Sequence, residues 1–159
     1  MRNKETLFRD LLGRLHSEKI LQTIILIGNW VLPIYHHYFN NAPEIPLLRT
    51  TDIDFLIPNP PKIRKTADVP KILEEFGFEQ VFSVIGDFSK FVHPQLEIEF
   101  IIPELGKGSN KAYWVKELNI SAQPLRYLHL IQKFTLEIKY LSFEITVPEP
   151  AVFVLLKFC

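Results

Sequence analysis

The stretch Arg49-Thr-Thr-Asp-Ile-Asp-Phe-Leu-Ile57 predicts the strand around which the rest of the chain is arranged. Its β-branched and aromatic residues are followed by a Pro-Asn-Pro-Pro segment, which typically ends a strand. Side chains alternate between the two faces of a strand, so Asp52 and Asp54 share one face while Ile53 and Phe55 share the other. Two carboxylates about 7 Å apart on one face can converge on a hard cation such as Mg²⁺.

A second strand with the same alternation is predicted over residues 96–103. It places Glu97 and Glu99 on one face and apolar residues on the other. If the two strands pair side by side, one glutamate supplies a third ligand to the Asp52 and Asp54 pair, as two-metal sites for phosphoryl chemistry require. The same alternation is also typical of a half-exposed strand in any α+β domain, so a purely structural role stays open.

The composition predicts one globular domain over residues 1–159 that is not strongly basic overall, which leaves a local basic patch open. Lysine and arginine number 18, as do aspartate and glutamate, so the formal net charge is zero. The single cysteine, Cys159, excludes an intrachain disulfide. The charged start lacks the apolar stretch of a secretory signal, and no apolar run is long enough to cross a bilayer. We expect a cytoplasmic protein with no membrane partner.

Periodicity and turn residues predict an α+β fold, with helices packed on a mixed, mainly antiparallel sheet. Asp68 is the expected N-cap of a helix that Gly77 terminates, and two strands are expected to turn at Gly86-Asp87. The predicted helices cover residues 5–19, 30–39, 69–76, 124–134 and 152–158, and the further predicted strands cover 23–27, 78–85, 88–92, 135–140 and 143–147.

Two segments are candidates for contact with a nucleotide. Gly28 ends a buried strand just before a helix, and backbone N–H groups at a helix N-terminus favour phosphate. The glycine- and lysine-bearing segment 103–111 follows the second acidic strand and contains Lys107 and Ser109. Either segment is also typical of an ordinary surface turn.

The order of these parts resembles the polymerase-β-like nucleotidyltransferase superfamily: a strand, Gly28-Asn29, a helix, then Asp52-Ile-Asp54, then Glu99 on a later strand. The chain is most similar to small bacterial nucleotidyltransferase-domain proteins, over roughly residues 20–159. The segments that carry the resemblance are Ile27-Gly-Asn-Trp, Arg49 to Pro58, Glu99-Phe with Pro103-Glu-Leu-Gly-Lys-Gly, Ala122-Gln-Pro-Leu-Arg126 and the final Pro-Glu-Pro-Ala with Lys157.

The resemblance implies the palm fold of that superfamily and transfer of a nucleoside monophosphate from an NTP to a hydroxyl of a protein, an RNA or a small molecule. It implies that Asp52, Asp54 and Glu99 bind two Mg²⁺ ions, with Glu97 on the same face as the alternative third ligand. The residues implied or expected to contact the nucleotide are Gly28, Asn29, Arg49, Thr51, Lys107 and Ser109.

Two departures from the family pattern leave other functions open. Asn29 stands where the superfamily carries Ser or Gly, and the chain ends at Lys157-Phe-Cys where family members continue into further helices. A truncated last helix would leave Val152, Leu155 and Leu156 without cover and would favour an oligomer. The alternatives are a catalytically degenerate nucleotide-binding or antitoxin-like interaction module, and a structural α+β protein whose acids face water.

Overall fold

The computed structural model describes residues 3–40, 50–84, 89–104 and 111–157. The helices are α1 (Lys4–Ser17), α2 (Val31–Tyr38), α3 (Val69–Glu75), α4 (His129–Lys133) and α5 (Pro150–Lys157). The strands are β1 (Ile25–Ile27), β2 (Asp52–Leu56), β3 (Glu79–Phe82), β4 (Ser89–Val92), β5 (Glu97–Pro103), β6 (Tyr113–Val115), β7 (Ile120–Leu125), β8 (Thr135–Tyr140) and β9 (Phe143–Pro148).

The main sheet is mixed and mostly antiparallel, as predicted. Its central strands follow the order β1-β2-β5-β4-β3, and β7 also pairs with β5. The β2–β5 and β5–β7 pairs are parallel, whereas β1–β2, β3–β4, β4–β5 and β6–β7 are antiparallel. Strands β8 and β9 form a separate antiparallel hairpin. The predicted α+β class is therefore confirmed.

Most of the core lies on one face of the sheet. Ile53 and Phe55 of β2 and Ile98 and Phe100 of β5 are buried there. Helix α1 contributes to the same core cluster the side chains that its period predicts to be buried, and all of them are fully buried: Leu7, Phe8, Leu11, Leu12 and Leu15. Burial of each such side chain contributes about 1.5–3 kcal/mol to folding stability, so the core on this face is a main source of the stability of the sheet.

The opposite face of the sheet is apolar at one end and acidic at the other. Leu56, Ile101 and Ile131 form a second, smaller cluster with Ile25 and Ile27. Val152 and Leu156 of α5 pack against this cluster, while Leu155 is 54% exposed. The expectation that all three α5 side chains lack cover is therefore wrong for Val152 and Leu156, because the sheet itself supplies the cover.

Both predicted ends of helix α3 are present in the structure. The Asp68 side chain accepts a hydrogen bond from the backbone N–H of Lys71 at the start of α3. Gly77 follows α3 with φ of +92°, a conformation that glycine adopts without strain. Strands β3 and β4 pair as predicted, and the expected turn at Gly86-Asp87 lies outside the described residues.

The helix predicted over residues 124–134 is wrong in its first half. Residues up to Leu125 belong to β7, and α4 begins only at His129. Pro124 is tolerated in a strand because β6 pairs only with Ile120 to Ala122, so Pro124 has a strand partner on the β5 side alone. Strands β6 and β7 were not predicted. The predicted strand over 23–27 is shorter, since a 3₁₀ turn occupies Leu21–Thr23.

None of the helices in the described part of the chain combines the length and the hydropathy that a bilayer span requires.

Candidate active site

The register of the central strands brings the predicted acidic residues together. Strand β2 pairs in parallel with β5, so Asp52 lies opposite Glu97 and Asp54 lies opposite Glu99. Because directly paired residues point to the same face, all four carboxylates lie on the face away from the main core. Asp52 is exposed and Asp54 is half-buried. The condition stated from the sequence, that the two acidic strands pair side by side, is met.

Gly28 lies directly against this group of acids. Strand β1 pairs with the other edge of β2, where Ile27 is opposite Asp54. Gly28 follows with φ of +76°, and a Cβ added to it would lie 3.0 Å from Oδ2 of Asp54. Only glycine combines this backbone conformation with such a close approach. Gly28 therefore borders the acidic group directly.

The other predicted contact residues are placed only in part. Asn29 is half-buried in the turn that leads from Gly28 to α2, and its carbonyl accepts from the N–H of Leu32. Thr51 is exposed immediately before Asp52. Arg49, Lys107 and Ser109 lie outside the described residues. Their contact with a nucleotide stays a prediction.

A lysine that the sequence did not single out lies among the acids. Lys90 of β4 is paired with Glu99, on the side of β5 away from β2. Its ammonium nitrogen Nζ lies 2.8 Å from Oε2 of Glu97 and 3.5 Å from Oε1 of Glu99. Both glutamates therefore share one cation. The available signal was the alternation of Lys90 with the buried Phe91, which puts Lys90 on the acidic face.

The acids differ in how their charge is compensated. Burial is the largest of three causes that together raise the pKa of Asp54 to about 6; the other two are the neighbouring charges of Glu99 and Asp52. Lys90 opposes this rise. The hydrogen bond from Lys90 lowers the pKa of Glu97. Lys90 therefore forms its ion pairs with the two glutamates, and among the residues that the structure describes no cation forms an ion pair with Asp54.

The donor set fits a divalent cation in its chemistry. Carboxylate oxygens are the ligands that Mg²⁺ prefers, and Asp52, Asp54 and Glu99 present them on adjacent strands of one face. In the part of the chain that the structure describes, no three Asp, Glu, His or Cys side chains already converge on a point where one ion could bind. Glu97 and Glu99 are instead turned toward Lys90.

Comparison with known proteins relates the chain to a protein family. Neither a curated protein nor a solved structure matches the chain. A family model described as Nucleotidyltransferase matches residues 8–159, which includes Gly28, both aspartates and both glutamates of the site. Because this match spans nearly the whole sequence, the chain belongs to the nucleotidyltransferase family.

Proposed function

We propose that this protein transfers a nucleoside monophosphate from an NTP to a hydroxyl group, with Mg²⁺ as the cofactor. The observation that carries the proposal is the contact between Gly28 and Asp54, beside Asp52 and Glu99 on one sheet face. A glycine turn held against a group of carboxylates offers a triphosphate close approach to the backbone and offers its counter-ions oxygen ligands. Membership of the nucleotidyltransferase family supports the same reaction.

In the proposed reaction, an oxygen of the acceptor hydroxyl forms a bond to the α-phosphorus of the NTP. The bond between that phosphorus and the oxygen bridging to the β-phosphate breaks, and pyrophosphate leaves with the bonding electrons. The hydroxyl proton is released to solvent at the open side of the group, where Asp52 is exposed. Positioning and charge stabilisation supply most of the rate in such transfers.

Each residue of the site has a proposed role. Asp52, Asp54 and Glu99 hold two Mg²⁺ ions, and Glu97 is the alternative to Glu99. When bound, such ions favour ionisation of the attacking hydroxyl and neutralise charge on the triphosphate. Gly28, Asn29 and Thr51 border the phosphates, and we assign Arg49, Lys107 and Ser109 to the same substrate. The acceptor is a protein, an RNA or a small molecule.

A second candidate is a nucleotide-binding module without turnover. It is favoured by Asn29 in the glycine turn and by the ion pairs of Lys90 with both glutamates, which occupy the candidate third ligand. The raised pKa of Asp54 argues against it, because a half-buried carboxylate with no ion pair among the described residues costs stability unless a cation binds beside it.

A thermal-shift titration with ATP, CTP, GTP and UTP, with and without Mg²⁺, tests the proposal. A ligand that binds only the folded state raises Tm by mass action. At a free ligand concentration of 100 times Kd, the free energy of unfolding rises by about 2.7 kcal/mol. We expect a Mg²⁺-dependent shift with at least one NTP and none in Asp52→Ala/Asp54→Ala. The control variant Glu137→Ala/Glu144→Ala removes two exposed acids from the β8–β9 hairpin and should keep the shift.

Turnover is measured separately, as pyrophosphate release and as the gain of one nucleoside monophosphate in the mass of an acceptor. Binding without pyrophosphate release over a range of hydroxyl acceptors would favour the second candidate. No shift with any nucleotide would contradict both.

A further inference from the structure

We propose that Lys90 competes with a divalent cation for Glu99, so that the metal site is completed only when a triphosphate takes over the lysine ammonium group. This inference rests on the proposed function and deepens it. Lys90 is then a positioning residue that couples metal binding to substrate binding. Glu97 weakens the ion pair between Lys90 and Glu99 because it binds the same ammonium group.

The geometry of β4 and β5 lets one lysine reach both glutamates. Lys90 is directly opposite Glu99, and Glu97 is two residues along β5 on the same face. A diagonal neighbour at this spacing is within reach of a long side chain. The 2.8 Å contact with Glu97 is shorter than the 3.5 Å contact with Glu99, so Glu97 is the principal partner.

The ion pairs occupy the oxygens that a metal would need. Glu99 is the preferred third ligand because it is opposite Asp54, yet one of its carboxylate oxygens faces an ammonium group. A divalent ion bound at Asp52 and Asp54 and also at Glu99 would be repelled by that ammonium at short range. Metal binding in the absence of substrate is therefore weakened while Lys90 remains paired with Glu99.

A triphosphate provides an alternative partner for Lys90. An ammonium group has three N–H donors on a flexible four-carbon stem. Lys90 has one contact with each of the two glutamates, which involves no more than two of these donors. The lysine side chain is 37% exposed, so an incoming phosphate can reach it without opening the sheet. Charge-assisted bonds to phosphate oxygens then replace the bond to Glu99, which leaves Glu99 to the metal.

The test measures Mn²⁺ binding to the full chain by electron paramagnetic resonance, with and without inorganic tripolyphosphate. Tripolyphosphate carries the phosphates without a base, so the result does not depend on which NTP is used. We expect Lys90→Met to bind Mn²⁺ on the order of tenfold more tightly than the native chain without tripolyphosphate, since a competing cation is removed. We expect tripolyphosphate to enhance Mn²⁺ binding less in Lys90→Met than in the native chain.

The matched control is Lys139→Met. Lys139 is exposed on β8 opposite Glu144, so this variant removes the same charge from a similar strand pair outside the site. It should leave Mn²⁺ binding unchanged. Equal Mn²⁺ affinity in Lys90→Met and the native chain, or weaker binding in the variant, would overturn the proposal.

Glu97→Gln separates competition by Lys90 from ligation by Glu97. Without Glu97, Lys90 pairs with Glu99 alone, so Glu97→Gln should weaken Mn²⁺ binding in the native background. In the Lys90→Met background the same change should have little effect, and this non-additivity is the signature of a shared partner. Weakening of equal size in both backgrounds would identify Glu97 as a metal ligand and would overturn its assigned role.

Failure of the proposed function gives a different pattern. In that case Asp54→Asn would bind Mn²⁺ and tripolyphosphate as well as the native chain does, whatever residue stands at position 90. Loss of binding in Asp54→Asn together with no effect of Lys90→Met would keep the site and reject only the competition.

Discussion

At Asp54 the proposed function conflicts with the stability of the metal-free protein. Burial and the neighbouring acids raise its pKa from 3.8 to about 6, which means that the folded state holds its carboxylate less favourably than the unfolded state does. The cost is fully present above about pH 6, where the group is ionised in both states. It disappears below about pH 4, where the group is protonated in both.

Asp54→Asn should therefore stabilise the metal-free protein at pH 8 by about 1–2 kcal/mol, since each unit of pKa shift corresponds to about 1.4 kcal/mol before solvent screening. The advantage over the native chain should shrink as the pH falls from 6 to 4. Urea denaturation at several pH values, monitored by circular dichroism, measures both effects. Asp52→Asn is the control. Because Asp52 is exposed, this substitution should change the free energy of unfolding by no more than about 0.5 kcal/mol. A loss of stability in Asp54→Asn would mean that the side chain has a structural role.

The site residues could be predicted from the sequence where the strand that carries them could be predicted. Period-two alternation placed Asp52 with Asp54 and Glu97 with Glu99, and each pair does share a face. Alternation within one strand carries no information about the strand beside it, however. The contact of Lys90 with both glutamates depends on the register of β4 against β5, which no local pattern specifies.

At the scale of elements, two glycine junctions with similar backbone conformations serve different purposes. Gly28 joins β1 to α2 and faces Asp54, whereas Gly77 joins α3 to β3 and faces the ring of His93. Both have a positive φ, so alanine at either position should cost about 1–2 kcal/mol of stability.

Only Gly28→Ala should also impair the site, because its new Cβ would lie 3.0 Å from Oδ2 of Asp54 and would displace that carboxylate. We expect Mn²⁺ affinity to fall about tenfold in Gly28→Ala and to stay unchanged in Gly77→Ala. Mn²⁺ titrations at a temperature where both variants are fully folded measure this difference. Equal losses in the two variants would show that the effect is one of general stability.

Elements with a clear period or cap were predicted well, and those defined by their partners were not. Helix α1 and the β8–β9 hairpin follow local patterns, and the structure places them as expected. Strand β7 contains a proline and only short alternation, so its sequence predicts a helix that starts at Pro124. Pairing with β5 determines its conformation instead, which is a tertiary effect that overrides local preference.

At the scale of the whole molecule, α5 and α4 close the apolar end of the acidic face. Leu156 packs against the cluster of Leu56, Ile101 and Ile131, whereas Leu155 on the same helix is mostly exposed. Leu156→Ala should therefore destabilise the protein by about 1–2 kcal/mol, a reduced value because the side chain is half-buried.

Leu155→Ala is the matched control, with an expected change below about 0.5 kcal/mol. The midpoint of urea denaturation at neutral pH reports both values. A destabilisation of the same size in the two variants would mean that α5 packs with a different face.

The parallel pairing of β2 with β5 also constrains how the chain folds. These strands are distant in sequence, and their register places Asp52 opposite Glu97 and Asp54 opposite Glu99. A slip of one residue would turn Asp52 and Asp54 toward Phe91 and Phe100 and expose Ile53 and Phe55. Such a misaligned intermediate would bury two charges and would dissociate quickly. The same carboxylates that we assign to metal binding would thus disfavour wrong alignments during folding, before any substrate has bound.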